Sequence, residues 1–276
     1  MVELFEIGPI KIYLFGVTIV LAMLVGMAII LKESKRKEMN SESIMDLMLY
    51  TLVASFIGAR VYYIIAFDLS HYLSNPMEII AIRNGGLSIQ GGIIFGIVFA
   101  IFYSKVKNIN FWKAADAFAP GIIIGQAIGR FGCDVFGIPM VGSYPWGIDV
   151  ASVIRHPVQL YEAFLNIGLF ILLWKFRDQT KYHGQLFIRY IIGFSIIRGI
   201  VEFFRVNPIV FEPFSIVHLT SVLFIAIALI TRSRIKDKDL IKNTQSSKDD
   251  ILKDWMIYIL AVLIGMIGTW VYYSIH

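Results

Sequence analysis

Two long apolar runs decide the solvent in which this chain folds: Ile12 to Leu31 and Ile257 to Tyr273. Coiled as helices, runs of this length reach across roughly 30 Å of hydrocarbon. Composition agrees, with 57% of residues hydrophobic and only 16% charged. A soluble domain carries roughly 45–50% apolar residues and about 25% charge. The first ten residues, MVELFEIGPI, have no basic stretch and no small-residue cleavage site, so no cleavable signal is expected.

Hydropathy places spans at 12–31, 44–66, 87–104, 114–132, 158–175, 185–203, 214–231 and 255–275. The expected architecture is an all-α polytopic membrane bundle. It divides into a seven-span core (1–232), a charged cytoplasmic linker (233–254) and an additional eighth helix (255–276). The third and fourth spans are Gly-rich and interrupted by polar residues, as in segments that tilt, re-enter or line a cavity. The eighth is nearly featureless, with Trp255, Trp270, Tyr272 and Tyr273 near its ends as an interfacial belt. It reads as an anchor or lipid-facing packing helix.

Charge sets the expected orientation. The net charge is +5, and seventeen Lys and Arg fall in alternate inter-span loops against four in the others (Lys11, Arg83, Arg155, Arg205). This bias puts the basic loops in the cytoplasm and the N-terminus outside, and it accounts for the basicity without nucleic acid. A single cysteine, Cys133, excludes an internal disulfide framework and a CxxC redox pair. No metal site or cofactor is expected.

Ionisable residues inside a bilayer are costly and need a partner or a task. Arg60, Asp116, Arg130, Glu162, Arg198 and Glu202 fall within or at the edges of spans. They can pair with one another and lock the bundle, and Asp116 suits that role best. Arg130, Arg198 and Glu202 sit toward the outer halves of their spans. Arg198 and Glu202 are one turn apart and can neutralise each other. Alternatively, an arginine that stays charged there can hold an anionic lipid headgroup with its planar fork. Gly91 and Gly92, flanking Gln90 with Gly85 and Gly86, permit close approach of backbone to ligand or of helix to helix. Gly125, Gly129 and Gly132 form a packing stripe. His156 lies at the start of the fifth span as a cap or surface residue, with Gln159, Tyr161 and Glu162 following. Pro157 suits a first helical turn, and His218 reads as a structural histidine.

Several stretches, taken together, resemble the prolipoprotein diacylglyceryl transferase family. They are Gly58-Ala59-Arg60, Gly85 to Gly92, Asp116 with Ala119-Pro120-Gly121, Gly125 to Gly132, His156 to Ala163, and Arg198 to Arg205. The GR-F-G and HP-QLYEA pair is the most specific. The resemblance covers roughly 5–232 and implies seven spans, an outside N-terminus and a site open to the outer leaflet of a bacterial cytoplasmic membrane. It also implies transfer of diacylglyceryl from phosphatidylglycerol to the lipobox cysteine of a preprolipoprotein signal peptide, with release of glycerol phosphate. Arg130 and Arg198 match the family's headgroup arginines, with Gly91 and Gly92 beside them, and Glu202 matches its acidic partner. Arg198, Glu202, Gln90 and Cys133 are the candidate catalytic residues. Arg60, Asp116, His156, Gln159, Tyr161 and Glu162 are expected to support them.

Departures from the family pattern mark a divergent paralogue. Phe15 and Phe194 stand where tyrosines are usual, Gln90 where histidine is common, and Cys133 where asparagine is expected. Cys133 either fills that space as a small buried residue or faces the cavity as a thiolate. Two functions follow: the transferase, or a membrane protein of lost or altered activity that keeps an anionic-lipid cavity. A transporter is disfavoured, because no inverted repeat is seen.

Overall fold

The computed structural model describes residues 2–8, 10–81, 85–142, 144–235 and 248–275. Its helices in chain order are α1 (Leu14–Arg36), α2 (Ser41–Phe67), the short α3 (Leu69–Ser74), α4 (Ile89–Val106), α5 (Phe111–Arg130), α6 (Val158–Phe176), α7 (Gln185–Glu202), α8 (Ile216–Ile235) and α9 (Lys248–Ile275). A helix covers each of the eight expected spans. Six of them, α1, α2, α4, α6, α8 and α9, are long and apolar enough to cross a membrane. Helices α5 and α7 are of similar length but carry Asp116 and Arg130, and Arg198 and Glu202. The chain is a polytopic helical membrane protein. Most of the expected linker lies outside the described residues, as does Arg83.

The all-α expectation needs one correction. Three short antiparallel hairpins join or precede helices: β1 (Glu3–Ile7) with β2 (Ile10–Tyr13), β3 (Ile148–Val150) with β4 (Val153–Arg155), and β5 (Ile209–Phe211) with β6 (Phe214–Ser215). Helix α1 therefore begins at Leu14, after a strand that takes up Ile12 and Tyr13. The β3–β4 turn is made by Ala151 and Ser152, both with positive φ (53° and 64°). Such two-residue turns usually announce themselves by Asn-Gly or Asp-Gly, and here that signal is missing.

The chain forms two compact units, one of residues 1–30 with 115–276 and one of residues 31–114. In the larger unit α1 lies against α5 through small residues. A side chain at Gly121 would meet the Gly26 carbonyl and Ile30, one at Gly125 the Ala22 carbonyl, and one at Gly132 the Thr18 hydroxyl. The expected packing stripe thus does pack. Asp116 is fully buried and accepts the backbone N–H groups of Gly184 (2.9 Å) and Phe187 (3.0 Å) at the start of α7. A carboxylate satisfies orphan donors and faces the positive end of the helix there. Asp116 thus ties α5 to the start of α7 through these backbone groups.

In the smaller unit α2 and α4 pair along glycines. A Cβ at Gly58 would enter the Phe95 ring, one at Gly91 would strike Tyr62 and the Gly58 carbonyl, and one at Gly92 would press on the Ser55 carbonyl. Helix packing therefore accounts for Gly91 and Gly92. Arg60, 7% exposed, gathers the segment after α3. Its guanidinium donates to the carbonyls of Glu78 (2.6 Å), Ile79 (3.0 Å), Gly85 (2.7 Å) and Gly86 (2.9 Å).

Helix α9 is less detached than its sequence suggests. At one end Asp254 accepts from Arg177 (2.6 Å) and from the indole of fully buried Trp174 (3.0 Å). Trp255 and Trp270 are exposed as an interfacial belt requires, but Tyr272 is not, being 0% exposed. It falls on the helix face that carries Gly268, where a Cβ would enter the Phe131 ring.

Candidate active site

The site lies where the C-terminal ends of α5 and α7 meet the N-terminal turns of α6. Three facts of local sequence put it there. Arg130 is the last residue of α5. Arg198 and Glu202 occupy the last turns of α7. Pro157 directly precedes α6, as its N-cap rather than within its first turn, and its carbonyl accepts from Leu160 and Tyr161 to start the helix.

Glu162 is the centre. It is 1% exposed, and its two oxygens face two arginines, Arg130 Nη2 at 2.8 Å and Arg198 Nη1 at 3.0 Å. The Arg198 contact is an aligned hydrogen bond. The Arg130 contact is an ion pair by distance without hydrogen-bond alignment. The expected i, i+4 partner of Arg198, Glu202, is farther away, at 3.6 Å. Glu202 is itself buried and crowded. One oxygen accepts from Asn207 Nδ2 (2.7 Å) and Ser215 Oγ (2.7 Å), while the other faces Arg198 and Arg205 (3.8 Å). Ser215 is held in turn by His218, whose Nδ1 accepts the Ser215 N–H at 3.0 Å. Three arginines thus share two glutamates, leaving one positive charge in the paired set.

Neither key arginine is spent on these contacts. The side chains of Arg130 and Arg198 are 26% and 18% exposed, against 1% for Glu162. Each guanidinium has five N–H donors in a flat fork, and the carboxylates occupy only part of each.

A second layer steadies the ends of these helices. The Gln159 amide donates to the Cys133 carbonyl (3.1 Å), fixing the turn after α5. Cys133 Sγ lies 3.9 Å from Arg130 Nη1 and is half-buried. His156 is not at a helix cap. Its backbone pairs with 137–138, its Nδ1 lies 3.1 Å from the Tyr161 hydroxyl, and its ring packs on Phe204 at 5.1 Å. The loop through Gly137 and Ile138 is stitched to the end of α7 by an Ile138 N–H to Phe204 carbonyl bond of 2.9 Å. Gln90 belongs to the smaller unit. Its side chain is exposed and its Oε1 accepts from Ser88 Oγ (2.7 Å), so the buried setting that would force other partners on it is absent.

Sequence reasoning put Arg130, Arg198 and Glu202 together but cast Glu162 only as support. It missed Arg205, Asn207 and Ser215, which converge on Glu202 from the loop and hairpin after α7. The one available signal for Glu162 was its depth: about one turn inside an apolar helix, a carboxylate needs a cation.

The fold and this cluster define a multi-pass helical membrane protein with a partly buried cluster of arginines and glutamates where α5, α6 and α7 meet. Residues 2–234 match the family model described as prolipoprotein diacylglyceryl transferase, and the chain belongs to that family. It is 35% identical over 237 residues to the phosphatidylglycerol–prolipoprotein diacylglyceryl transferase of Clostridioides difficile, covering 85% of this chain and 95% of that one. It is 34% identical over 246 residues to the enzyme of the same name from Finegoldia magna, covering 87% and 98% of the two chains. A third so named, from Bacillus cytotoxicus, is 34% identical over 239 residues, covering 82% and 88%.

Proposed function

We propose that this chain transfers the diacylglyceryl group of phosphatidylglycerol to the lipobox cysteine of preprolipoproteins. The observation that carries the reading is the Glu162 hub, with two arginines fixed on one buried carboxylate and each still partly exposed. In this reaction a C–S bond forms at the primary carbon of the diacylglyceryl group. The C–O bond to phosphate breaks, and glycerol phosphate leaves with the electron pair. The phosphate gains negative charge as the bond breaks, so cations fixed beside it bind the transition state better than the ground state. Arg198 and Arg130 take that role. Glu162 aims their forks, and Glu202 braces Arg198 from below. The thiol proton passes to a base or water at the open side of the cluster.

The topology we assign is eight spans with both termini outside. It rests on the charge bias of the loops and on a helix at every hydropathy peak. The arginine cluster then faces the outer leaflet of the bacterial cytoplasmic membrane, where signal peptides emerge and phosphatidylglycerol is at hand.

The test is transfer in reconstituted vesicles, from labelled phosphatidylglycerol to a lipobox peptide. Thioether-linked product and free glycerol phosphate should appear in equal amounts. Phosphatidylglycerol binding without either product would assign the chain to the non-catalytic alternative.

A further inference from the structure

The hydrogen bonds that leave the arginine cluster end on a histidine of which one nitrogen is unused. His218 is 9% exposed and lies in the first turn of α8. Its Nδ1 accepts the Ser215 N–H at 3.0 Å. Ser215 Oγ, 3.3 Å from the same nitrogen, donates to Glu202. An imidazolium has no lone pair with which to accept, so the ring is neutral and carries its proton on Nε2. That Nε2–H is buried and has no hydrogen-bond partner among the described residues. An unmet buried donor costs about 1–3 kcal/mol, a cost that an acceptor from outside the chain would remove.

The same side chain forms part of the wall of a crevice of about 380 Å³ between α7 and α8. Ser195 and Gly199 line it on α7, and Phe214, Ser221 and Ile225 on the side of α8. A Cβ at Gly199 would meet nothing within 4 Å, so there is open space one residue from Arg198. The crevice has a polarity. Its histidine donor sits in the first turn of α8, while Ile225 lies about two turns further along. Helix α8 is long and apolar enough to cross a membrane. The hydrocarbon offers no water to such a donor. The acceptors at its border are the ester carbonyls of glycerolipids, and these arrive joined to the hydrocarbon that apolar walls accept.

We propose that this crevice is the subsite for an acyl ester of the diacylglyceryl group. His218 Nε2–H donates to the ester carbonyl, and the chain runs between α7 and α8 toward Ile225. The proposal rests on the reading of the arginine cluster as a phosphatidylglycerol site and names what holds the other half of that lipid. The two places suit one molecule. Contacts of 3.6, 2.7 and 3.3 Å lead from Arg198 through Glu202 and Ser215 to His218. In a glycerolipid the phosphate and the ester carbonyls are likewise only a few bonds apart. Holding phosphate at the arginines and carbonyl at His218 fixes the primary carbon between them, the carbon that the thiol attacks. Phe214 is the side chain that turns aside to admit the carbonyl. Its ring stands at 83° to the imidazole with 5.4 Å between centroids, and it is half-exposed.

The test uses the full-length protein in nanodiscs of diether phosphatidylcholine, a matrix without ester carbonyls. Bound fluorescent phosphatidylglycerol is displaced by unlabelled diester or diether phosphatidylglycerol of equal chain length. The parent should prefer the diester by about three- to tenfold, the scale of one neutral hydrogen bond. His218→Asn keeps an acceptor for the Ser215 N–H where Nδ1 stood and leaves nothing at Nε2, so it should lose the preference. Gly199→Leu fills the crevice without touching His218 and should weaken binding of the diester at an unchanged thermal midpoint. A parent indifferent to the linkage overturns the proposal, whatever the variants do. So does a folded His218→Asn protein that keeps the preference, or a folded Gly199→Leu protein that binds as the parent does. Equal displacement by diester phosphatidylethanolamine overturns it as well, because the crevice would then hold bulk lipid rather than the donor. Transfer without linkage preference removes the subsite and leaves the proposed activity standing. Preference, lost in His218→Asn, without transfer does the reverse. If the parent binds no phosphatidylglycerol, both readings fall.

Discussion

Two arginine sites sit in the same membrane protein and are satisfied in opposite ways. Arg60 has every guanidinium nitrogen bonded to backbone carbonyls at 2.6–3.0 Å. Its face also lies 5.0 Å from the Tyr72 ring centroid. Such a side chain has four of its five donors committed to backbone and little left to offer a ligand. Arg130 and Arg198 share one buried carboxylate and stay partly exposed. A cation in an apolar setting always needs partners. Whether the protein supplies them all separates a structural arginine from one that waits for an anion. By sequence alone the two kinds look the same, each a single Arg in an apolar helix near glycine.

The sharpest way to break this contrast is at Glu162. Replacing it by Ala leaves two arginines facing each other in a buried site without their anion. Removing one partner of a buried ion pair costs about 3–5 kcal/mol, so Glu162→Ala should be poorly folded. Its thermal midpoint in detergent should fall below that of every other variant considered, and transfer should be lost. If Glu162→Ala is as stable as the parent, the carboxylate is not the hub that holds these helix ends.

Arg198→Ala should separate activity from stability. Arg130 remains on Glu162, and Glu202 keeps Asn207, Ser215 and Arg205. The fold should survive while phosphatidylglycerol turnover falls about ten- to a hundredfold, the loss of one charge-assisted contact of about 1.5–3 kcal/mol. Arg198→Lys should rescue little, because an ammonium cannot bridge Glu162 and a phosphate as a fork does. Turnover unchanged in a folded Arg198→Ala protein would remove this arginine from the headgroup site.

Arg60→Ala should give the mirror image. Four carbonyls lose their donor at once, and the segment between α3 and α4 loses its tie to α2. A loss of about 1–3 kcal/mol is expected, with kcat per folded molecule near that of the parent. If kcat falls instead while the thermal midpoint holds, Arg60 belongs with the other two arginines.

What could be read from sequence divides along physical lines. Helices were legible because apolar runs of about 20 residues have few alternatives in a membrane, and a helix lies at each of the eight expected positions. The glycine stripe on α5 was legible because small residues at helical spacing have one common use. The site was legible only in part. Arg198 with Glu202 is a local i, i+4 relation, visible in one helix. The Glu162 pairing joins α5, α6 and α7, and no spacing rule reports a contact 32 or 36 residues away. The hairpins were missed because their strands are two to five residues long, too short for a clear alternation, and the β3–β4 turn of Ala151 and Ser152 lacks the usual turn residues. Tyr272 was misread because its neighbours, Trp270 and Tyr273, do belong to an aromatic belt. A dipeptide on a helix points to two faces, and composition cannot say which is turned inward.

The smallest effect expected comes from the surface above Arg60, and it tests whether that arginine alone holds its segment. His71 is exposed on α3, and its Nε2 lies 2.8 Å from a Glu78 carboxylate oxygen. That carboxylate favours the imidazolium and raises the His71 pKa above its ordinary 6.5. Because the folded pKa is the higher one, the pair stabilises fully below about pH 6.5, and the contribution is lost as pH rises through the raised value. The backbone of Glu78 is held separately, by the 2.6 Å bond that Arg60 donates to its carbonyl, a contact that does not involve the imidazolium. The two ties can therefore be separated by pH. Histidine NMR should show the His71 titration moved upward in the parent and returned toward 6.5 in Glu78→Gln. The protection factors of the 77–81 amides, exchange being corrected for its base-catalysed intrinsic rate, should change only slightly between pH 6 and pH 9, since the Arg60 bonds persist. A large loss of protection across that interval would mean that the exposed pair, and not the buried arginine, secures the segment, and the contrast between the two kinds of arginine would lose its structural member.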